Sequence, residues 1–551
     1  MSHQNAASTS ATRLATVRRL YFYLVALISF IVGLVGLDGL LSSLSDAWLG
    51  ATGVAVFAGN SYLRENIARS GGLLLVAAPL FLLHWGYMQR RRHELEERRA
   101  ALRKFFLYVA SAVALGYALT NAHALLLGLA QLAFGQSLAE SEIWPAAWLH
   151  HILIIGAAAA LQIYLHTVLV DDEDYGSEVR LAGTWRRLYQ TAAGLVGLAV
   201  VIFGGATILE TGLRALVGLT SEAIGAGWWR TPLSNGTALV LVGGVLARIN
   251  WQRWLQITTT NPDEAKTPLR RFYLYAAVVI GALTTLIPAA GLLYEVLNRL
   301  FGGEFGSWNE WLERFIEPLA YLPIGILVWL WYWQIVRREA DAYGESNEGA
   351  TVRRLYYYAV AAAGLSLVWF GAVDILQAIL DWLLVINRDG GRIWAEPLAN
   401  GLSLLMVGAP IWSIHWRTVQ TVARQDNLEG ARERGSGPRR VYLYGVALVG
   451  ALLILFYLAQ VVYRLLLLVL GDPNAALFSI ETVDHIARSV IAAILWGVHL
   501  LAIRGDGQMA TEASAAALPD SGETRVALQK RIDQLEAELA TVRSALAKLE
   551  A

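Results

Sequence analysis

The sequence predicts an all-α polytopic membrane protein, and three observations predict it. Of 551 residues, 56% are hydrophobic and only 16% charged, whereas soluble globular domains carry roughly 25% charged residues. The apolar residues fall in blocks, most of them long enough to cross ~30 Å of hydrocarbon, which takes about 20 residues. Lysine and arginine alternate strictly between the loops of one side and the other, as they do in chains threaded through a bilayer. The 44 basic and 44 acidic side chains cancel, which argues against a nucleic-acid binder running on net charge. With no cysteine, disulfides, thiolate nucleophiles, Cys-ligated zinc and iron–sulfur clusters are excluded.

Twelve spans are expected, at about 20–41, 71–88, 105–130, 146–169, 188–217, 237–256, 272–300, 318–336, 355–385, 397–416, 441–470 and 482–503. The second is the shortest. The first follows sixteen mostly polar residues and is already full length, so it reads as an uncleaved anchor. Loops on one side, with the N-terminal tail to Arg19 and the exit at 501–506, hold 29 basic residues, and the alternate loops hold seven. The positive-inside rule then puts both termini in the cytoplasm, and the expected location is a bacterial inner membrane.

A phrase recurs where each odd-numbered span begins. It reads Arg18-Arg19-Leu20-Tyr21-Phe22-Tyr23, Arg103-Lys104-Phe105-Phe106-Leu107-Tyr108, Arg186-Arg187-Leu188-Tyr189, Arg270-Arg271-Phe272-Tyr273-Leu274-Tyr275, Arg353-Arg354-Leu355-Tyr356-Tyr357-Tyr358 and Arg439-Arg440-Val441-Tyr442-Leu443-Tyr444. The steps are 85, 83, 84, 83 and 86 residues. Even spans carry a polar residue near the same side: His84, His166, Asn250, Tyr332, His415 and His499, with Trp following at 85, 251, 333 and 416. The implied unit is a two-helix hairpin repeated six times in parallel, and fixed-period repeats bury surface against their neighbours. Its copies would span 17–101, 102–184, 185–268, 269–351, 352–437 and 438–504, after a polar tail at 1–16. Glycines such as Gly33, Gly36 and Gly39, spaced by three, permit close helix contact.

The hairpin with this entrance phrase and a His-Trp exit resembles an uncharacterised bacterial membrane family described only as a domain of unknown function. The resemblance covers residues 17–504. It departs at Lys104, Phe106 and Gln190, and in the missing histidine of copies three and four. It implies a fold and no activity.

Three polar sets are candidate sites. The twelve cations Arg18, Arg19, Arg103, Lys104, Arg186, Arg187, Arg270, Arg271, Arg353, Arg354, Arg439 and Arg440 form six clusters at one leaflet. They read as helix anchors that contact anionic lipid, or as a site for a phosphate-bearing ligand. The row His84, His166, Asn250, Tyr332, His415 and His499 reads as interfacial hydrogen-bonding groups, not metal or haem ligands. Asp38, His123, Glu210, Glu295, Asp374, Gln377 and Gln460 lie 19 to 24 residues past the basic pairs, near the opposite interface. They would serve helix ends, interhelical bonds or a solute vestibule. No catalytic constellation is present and no cofactor is expected.

After a Gly/Ala/Ser-rich segment at 505–524, read as a flexible linker, residues 525–551 form a coiled-coil pattern. Ile532, Leu539 and Leu546 take a positions, and Leu528, Leu535, Val542 and Leu549 take d. In a parallel pair, Arg531 would meet Glu536 and Glu538 would meet Arg543 across the seam. The leading expectation is a membrane scaffold that self-associates or recruits a partner through this tail. The alternative is a transporter or channel with its path between the repeats.

Overall fold

The computed structural model describes residues 2–49, 54–136, 145–172, 181–218, 227–302, 306–384, 394–472, 479–516 and 521–550. Side chains are described for these residues except 2–15, 54–60, 512–516, 521–525 and 544–550. The described residues are overwhelmingly helical and contain no strand. The helices run α1 (Ser2–Leu49), α2 (Val54–Arg90), α3 (Leu95–Arg98), α4 (Ala101–Ala133), α5 (Pro145–Asp171), α6 (Leu181–Val217), α7 (Arg230–Thr260) and α8 (Pro268–Leu300). They continue with α9 (Trp308–Tyr343), α10 (Asn347–Leu384), α11 (Ala395–Ala423), α12 (Leu428–Arg434), α13 (Gly437–Val469), α14 (Ile480–Ala516) and α15 (Ser521–Glu550). Twelve of them are long and apolar enough to cross a membrane, and the chain is an all-α polytopic membrane protein. The second span, shortest in the sequence reading, covers Ser61–Arg90.

The membrane helices pair as hairpins: α1 with α2, α4 with α5, α6 with α7, α8 with α9, α10 with α11, and α13 with α14. The chain divides into two compact units, Met1–Leu300 with Glu304–Arg353, and Phe301–Gly303 with Arg354–Ala551. In the first unit each hairpin leans on the next by one rule. Helix α1 packs on α4 and α5, α4 on α6 and α7, and α6 on α8 and α9.

Small residues set the closest approaches within hairpins. On α6, Gly197 and Gly204 lie seven residues apart, two helical turns, facing Gly243 and Gly236 of α7. A Cβ at Gly204 would sit 2.8 Å from the Gly236 carbonyl oxygen. In the second unit Gly371 faces Gly401 in the same way, again with 2.8 Å to the facing carbonyl. In the first hairpin Gly36 sits against the backbone of Ser70 and Leu74. Without water to drive apolar burial, such backbone contact is the main source of helix association.

One segment differs from the sequence reading. Helix α14 runs on to Ala516, through twelve residues read as flexible linker. Ala, Glu, Gln and Met there favour helix, and Asp506 is tied back to Arg439. In α15 every described side chain, 526–543, is exposed.

Gly204→Ala is expected to cost about 1–3 kcal/mol, the usual penalty for overpacking. Gly244→Ala, with nothing within 4 Å of its Cβ, should be neutral or slightly stabilising. Thermal melts of the detergent-solubilised chain compare the two; equal losses would refute the close-approach role.

Candidate functional site

The six basic pairs converge on acids that the sequence reading had passed over. In the odd hairpins the acid lies in the connector to the next hairpin. Glu97 of α3 accepts from Arg19 Nε and from the Tyr23 hydroxyl, each at 2.8 Å. Glu433 of α12 accepts from Arg354 Nε and the Tyr358 hydroxyl, each at 2.7 Å. Glu264 lies in a 3₁₀ turn, Pro262–Lys266. The residue equivalent to Tyr23 and Tyr358 is here Thr191, too short to reach, and Arg186 takes its place. Arg186 donates to Glu264 at 2.8 Å, beside two bonds from Arg187 at 2.9 and 2.7 Å.

In the even hairpins the first cation of the pair does the work, and its acid lies in the C-terminal part of the hairpin's own second helix or just past it. Arg103 forks onto Asp172 at 2.9 and 3.0 Å, with Lys104 at 3.3 Å. Arg439 forks onto Asp506 at 2.7 and 2.8 Å, and Arg270 reaches Glu339 at 2.5 Å. Each guanidinium also lies over an indole of the preceding hairpin: Arg103 over Trp85 at 5.3 Å, Arg270 over Trp251 at 5.1 Å, Arg439 over Trp416 at 5.7 Å. The tryptophan of the His-Trp exit is therefore a cation–π platform.

These contacts turn most of the pairs toward the protein's own acids and carbonyls. Arg103, Lys104, Arg186, Arg270, Arg271 and Arg439 are buried and spend their donors inside the protein. Arg271 does so on the carbonyls of Glu339 and Gly344. Arg18, Arg19, Arg187, Arg353 and Arg354 are half-buried, with Arg353 paired to Glu345 at 3.2 Å. Arg440 alone of the twelve is fully exposed. Burial of a guanidinium in a low dielectric is tolerated only with a well-placed counterion.

The polar row divides by hairpin type. In odd hairpins His84 meets Tyr21 and His415 meets Tyr356 edge to face, while Asn250 lies beside Gly194. In even hairpins Tyr273 bonds Tyr332 at 2.8 Å and Tyr442 bonds His499 at 3.1 Å. At the corresponding positions of hairpin two stand Phe106 and Leu165, buried in one apolar cluster. His166 is thus one residue out of line with Tyr332 and His499. Among the described residues no group of three or more His, Asp or Glu is placed to hold a metal.

At the other end, the polar set pairs between the helices that pack. Asp38 meets His150 at 2.9 Å, His123 meets Asn235 at 3.0 Å, and Arg214 joins Glu210 at 3.1 Å to Glu313 at 2.6 Å. Glu295 takes Arg314 at 3.5 Å and Asp374 takes Asn400 at 2.6 Å. Gln377 bonds Asp381 on its own helix, and Gln460 is half-buried on α13. Between the two levels, hydroxyls such as Ser29, Thr207, Thr284 and Ser366 donate to carbonyls one turn back on their own helices. The second unit also holds a cavity of about 760 Å³ among α10, α13 and α14, walled by apolar and aromatic groups including Trp369, Phe370 and Trp496.

The acids disclose a longer period than the basic pairs. Glu97, Glu264 and Glu433 are 167 and 169 residues apart, and Asp172, Glu339 and Asp506 are 167 apart. The sequence profile described as "Domain of unknown function (DUF5671)" matches residues 19–157, 187–310 and 354–498. The chain belongs to the DUF5671 family. Each match opens on the second arginine of an odd hairpin and runs into the second helix of the next. The DUF5671 unit therefore spans a four-helix pair of hairpins with different ion-pair partners, and the family profile matches it three times. No curated protein and no solved structure matches the chain.

Burial tends to raise the Glu264 pKa, but the Arg187 hydrogen bond and the charges of Arg186 and Arg187 outweigh it and hold the carboxyl below its usual value. Its stabilising contribution is full above the ordinary carboxylate range and is lost as pH falls through the depressed folded value. Glu264→Gln should cost about 3–5 kcal/mol, the loss typical of a broken buried pair, and should flatten the acid limb of the melting temperature against pH. An unaltered acid limb would count against this assignment.

Tyr273→Phe leaves the Tyr332 hydroxyl without its partner and should cost about 1–3 kcal/mol. Tyr273→Phe with Tyr332→Phe, imitating the apolar pair of hairpin two, should cost less than the two singles combined. A double-mutant cycle reads that coupling; strict additivity would refute it.

Proposed function

We propose that this DUF5671 protein is a non-catalytic membrane scaffold that self-associates through its C-terminal helix. The observation that carries the proposal is the bare heptad stripe of α15. Leu528, Ile532, Leu535, Leu539 and Val542 are each 47–66% exposed, on a thirty-residue helix with no described side chain covered. Leu546 and Leu549 fall outside the residues whose side chains are described. An a/d stripe left open to water is satisfied by a second copy.

Charge favours a parallel copy, since Arg531 opposes Glu536 and Glu538 opposes Arg543 in that register. Chains inserted in one membrane with a common orientation present their tails in parallel, and tethering raises their effective concentration. The pairing of the polar residues at both ends of the bundle supports a structural use for them, as against a solute path. On this reading both termini face the cytoplasm of a bacterial inner membrane, and the exposed Arg440 contacts anionic headgroups.

Leu535→Asp with Leu539→Asp should reduce the particle mass measured by light scattering in detergent. Arg531→Glu should weaken association, and adding Glu536→Arg should restore it. Unchanged mass in the double leucine variant would sink the proposal, as would saturable solute flux through liposome-reconstituted protein.

A further inference from the structure

A small cavity, about 160 Å³, lies between hairpins two and three of the first unit, lined by Tyr108, Ser111, Gln162, His166, Tyr189 and Arg253 among others. The three-copy register shows what is particular to it. With Asp172, Glu339 and Asp506 aligned, Gln162 stands where the other copies have Trp329 and Trp496, and His166 where they have Trp333 and Leu500. By alignment of the arginines, Ser111 replaces Val278 and Ala447. By alignment of the exit tryptophans, Arg253 replaces Tyr87 and Thr418. Only the two tyrosines belong to the shared phrase. Four polar residues, three from the first copy and Arg253 from the second, each without a like residue at the aligned positions, therefore meet at one crevice, and the fold common to the copies does not require them.

Arg253 also differs from the motif cations. It is half-buried, yet no carboxylate among the described residues lies within ion-pair distance of it. Tyr108 and Ser111, both 4% exposed, and Tyr189 line the same cavity and bring hydroxyl groups to it. Gln162 bonds the Ser111 carbonyl at 2.5 Å. A guanidinium with no counterion among the described residues, in a cavity shared with hydroxyl-bearing side chains, is complementary to a tetrahedral oxyanion. Tyr108 and Ser111 lie five and eight residues past Arg103, some 8–12 Å along the helix, close to headgroup depth.

We propose that this cavity binds a phosphate-type oxyanion through the Arg253 guanidinium, with the Tyr108, Ser111 and Tyr189 hydroxyls as further donors. A phospholipid headgroup and a free phosphate share this chemistry. The test is native mass spectrometry of the full chain in detergent, titrated with phosphatidylglycerol, with phosphatidylcholine and with inorganic phosphate. Wild type should gain one adduct, which Arg253→Gln weakens about tenfold or more, the loss of a charged hydrogen bond. Ser111→Ala should weaken it several-fold, and Arg417→Gln, an exposed cation outside the cavity, should leave it unchanged. Because no carboxylate among the described residues pairs with Arg253, Arg253→Gln should melt as wild type does; if it misfolds, Ser111→Ala carries the decision. A lipid adduct lost in the variants identifies a headgroup site, and a phosphate adduct lost with lipid binding unaffected identifies a soluble anion. Adducts that both Arg253→Gln and Ser111→Ala leave intact, or no adduct in any titration, would overturn the proposal.

Discussion

A guanidinium taken out of water must have its charge and donors answered, here chiefly by a carboxylate, and that requirement organises each DUF5671 unit. Moving such an ion into a medium of low dielectric costs several kcal/mol even after relaxation. The unit buries one in each even hairpin, Arg103, Arg270 and Arg439, and gives each an acid from the same hairpin and an indole from the preceding one. The fork onto Asp172 or Asp506 ties the entry of one helix to the end of its antiparallel partner. The indole contact ties that hairpin to its predecessor. The connector acids Glu97, Glu264 and Glu433 close the remaining gap, six residues before the next buried arginine. Since a buried pair contributes little net stability against an apolar substitute, its main effect here is on register: a hairpin shifted by a turn would strand a charge.

The copies solve this problem jointly rather than residue by residue. Where Tyr23 and Tyr358 are replaced by Thr191, Arg186 swings onto Glu264 and supplies the missing donor. The exchange is incomplete, for Thr191 Oγ1 and Arg270 Nη1 are left without partners among the described residues. Where Tyr273 and Tyr332 are replaced by Phe106 and Leu165, both polar groups disappear together. Losing a pair leaves nothing unsatisfied, whereas losing one member does.

The twelve spans and the recurring entrance phrase were legible because each is a local pattern. Apolar block length follows from bilayer thickness, and the phrase repeats the same residue types in sequence. The role of the phrase was not legible. Arg19 and Glu97 are 78 residues apart, Arg103 and Asp172 are 69 apart, and only the packing of hairpins brings them together. A trace of it does lie in the sequence, as the spacing Glu-x5-Arg at 97, 264 and 433. The evenly spaced basic pairs masked it, because pairs with two different partners look alike in one dimension. For the same reason the histidine row seemed continuous, until the acids set a register that moves His166 out of it.

A tandem architecture offers its own control for separating structure from function. A feature present in all three DUF5671 units, such as the arginine, acid and indole triplet, answers a demand that all three share, which is packing in the membrane. It is therefore poor evidence for a ligand, however charged it is. A polar residue present in one unit, where the others keep Trp, Leu or Val, answers no such shared demand and carries a desolvation cost that the other units avoid. Such residues scattered singly would mean drift. Gln162, His166 and Ser111 are not scattered; they come from α4 and α5 and meet Arg253 of α7 at one crevice, and the charge there has no counterion among the described residues. By the same reasoning α15, which lies outside the repeats, is free of their packing demands, and its exposed leucines must be explained by something beyond the membrane bundle.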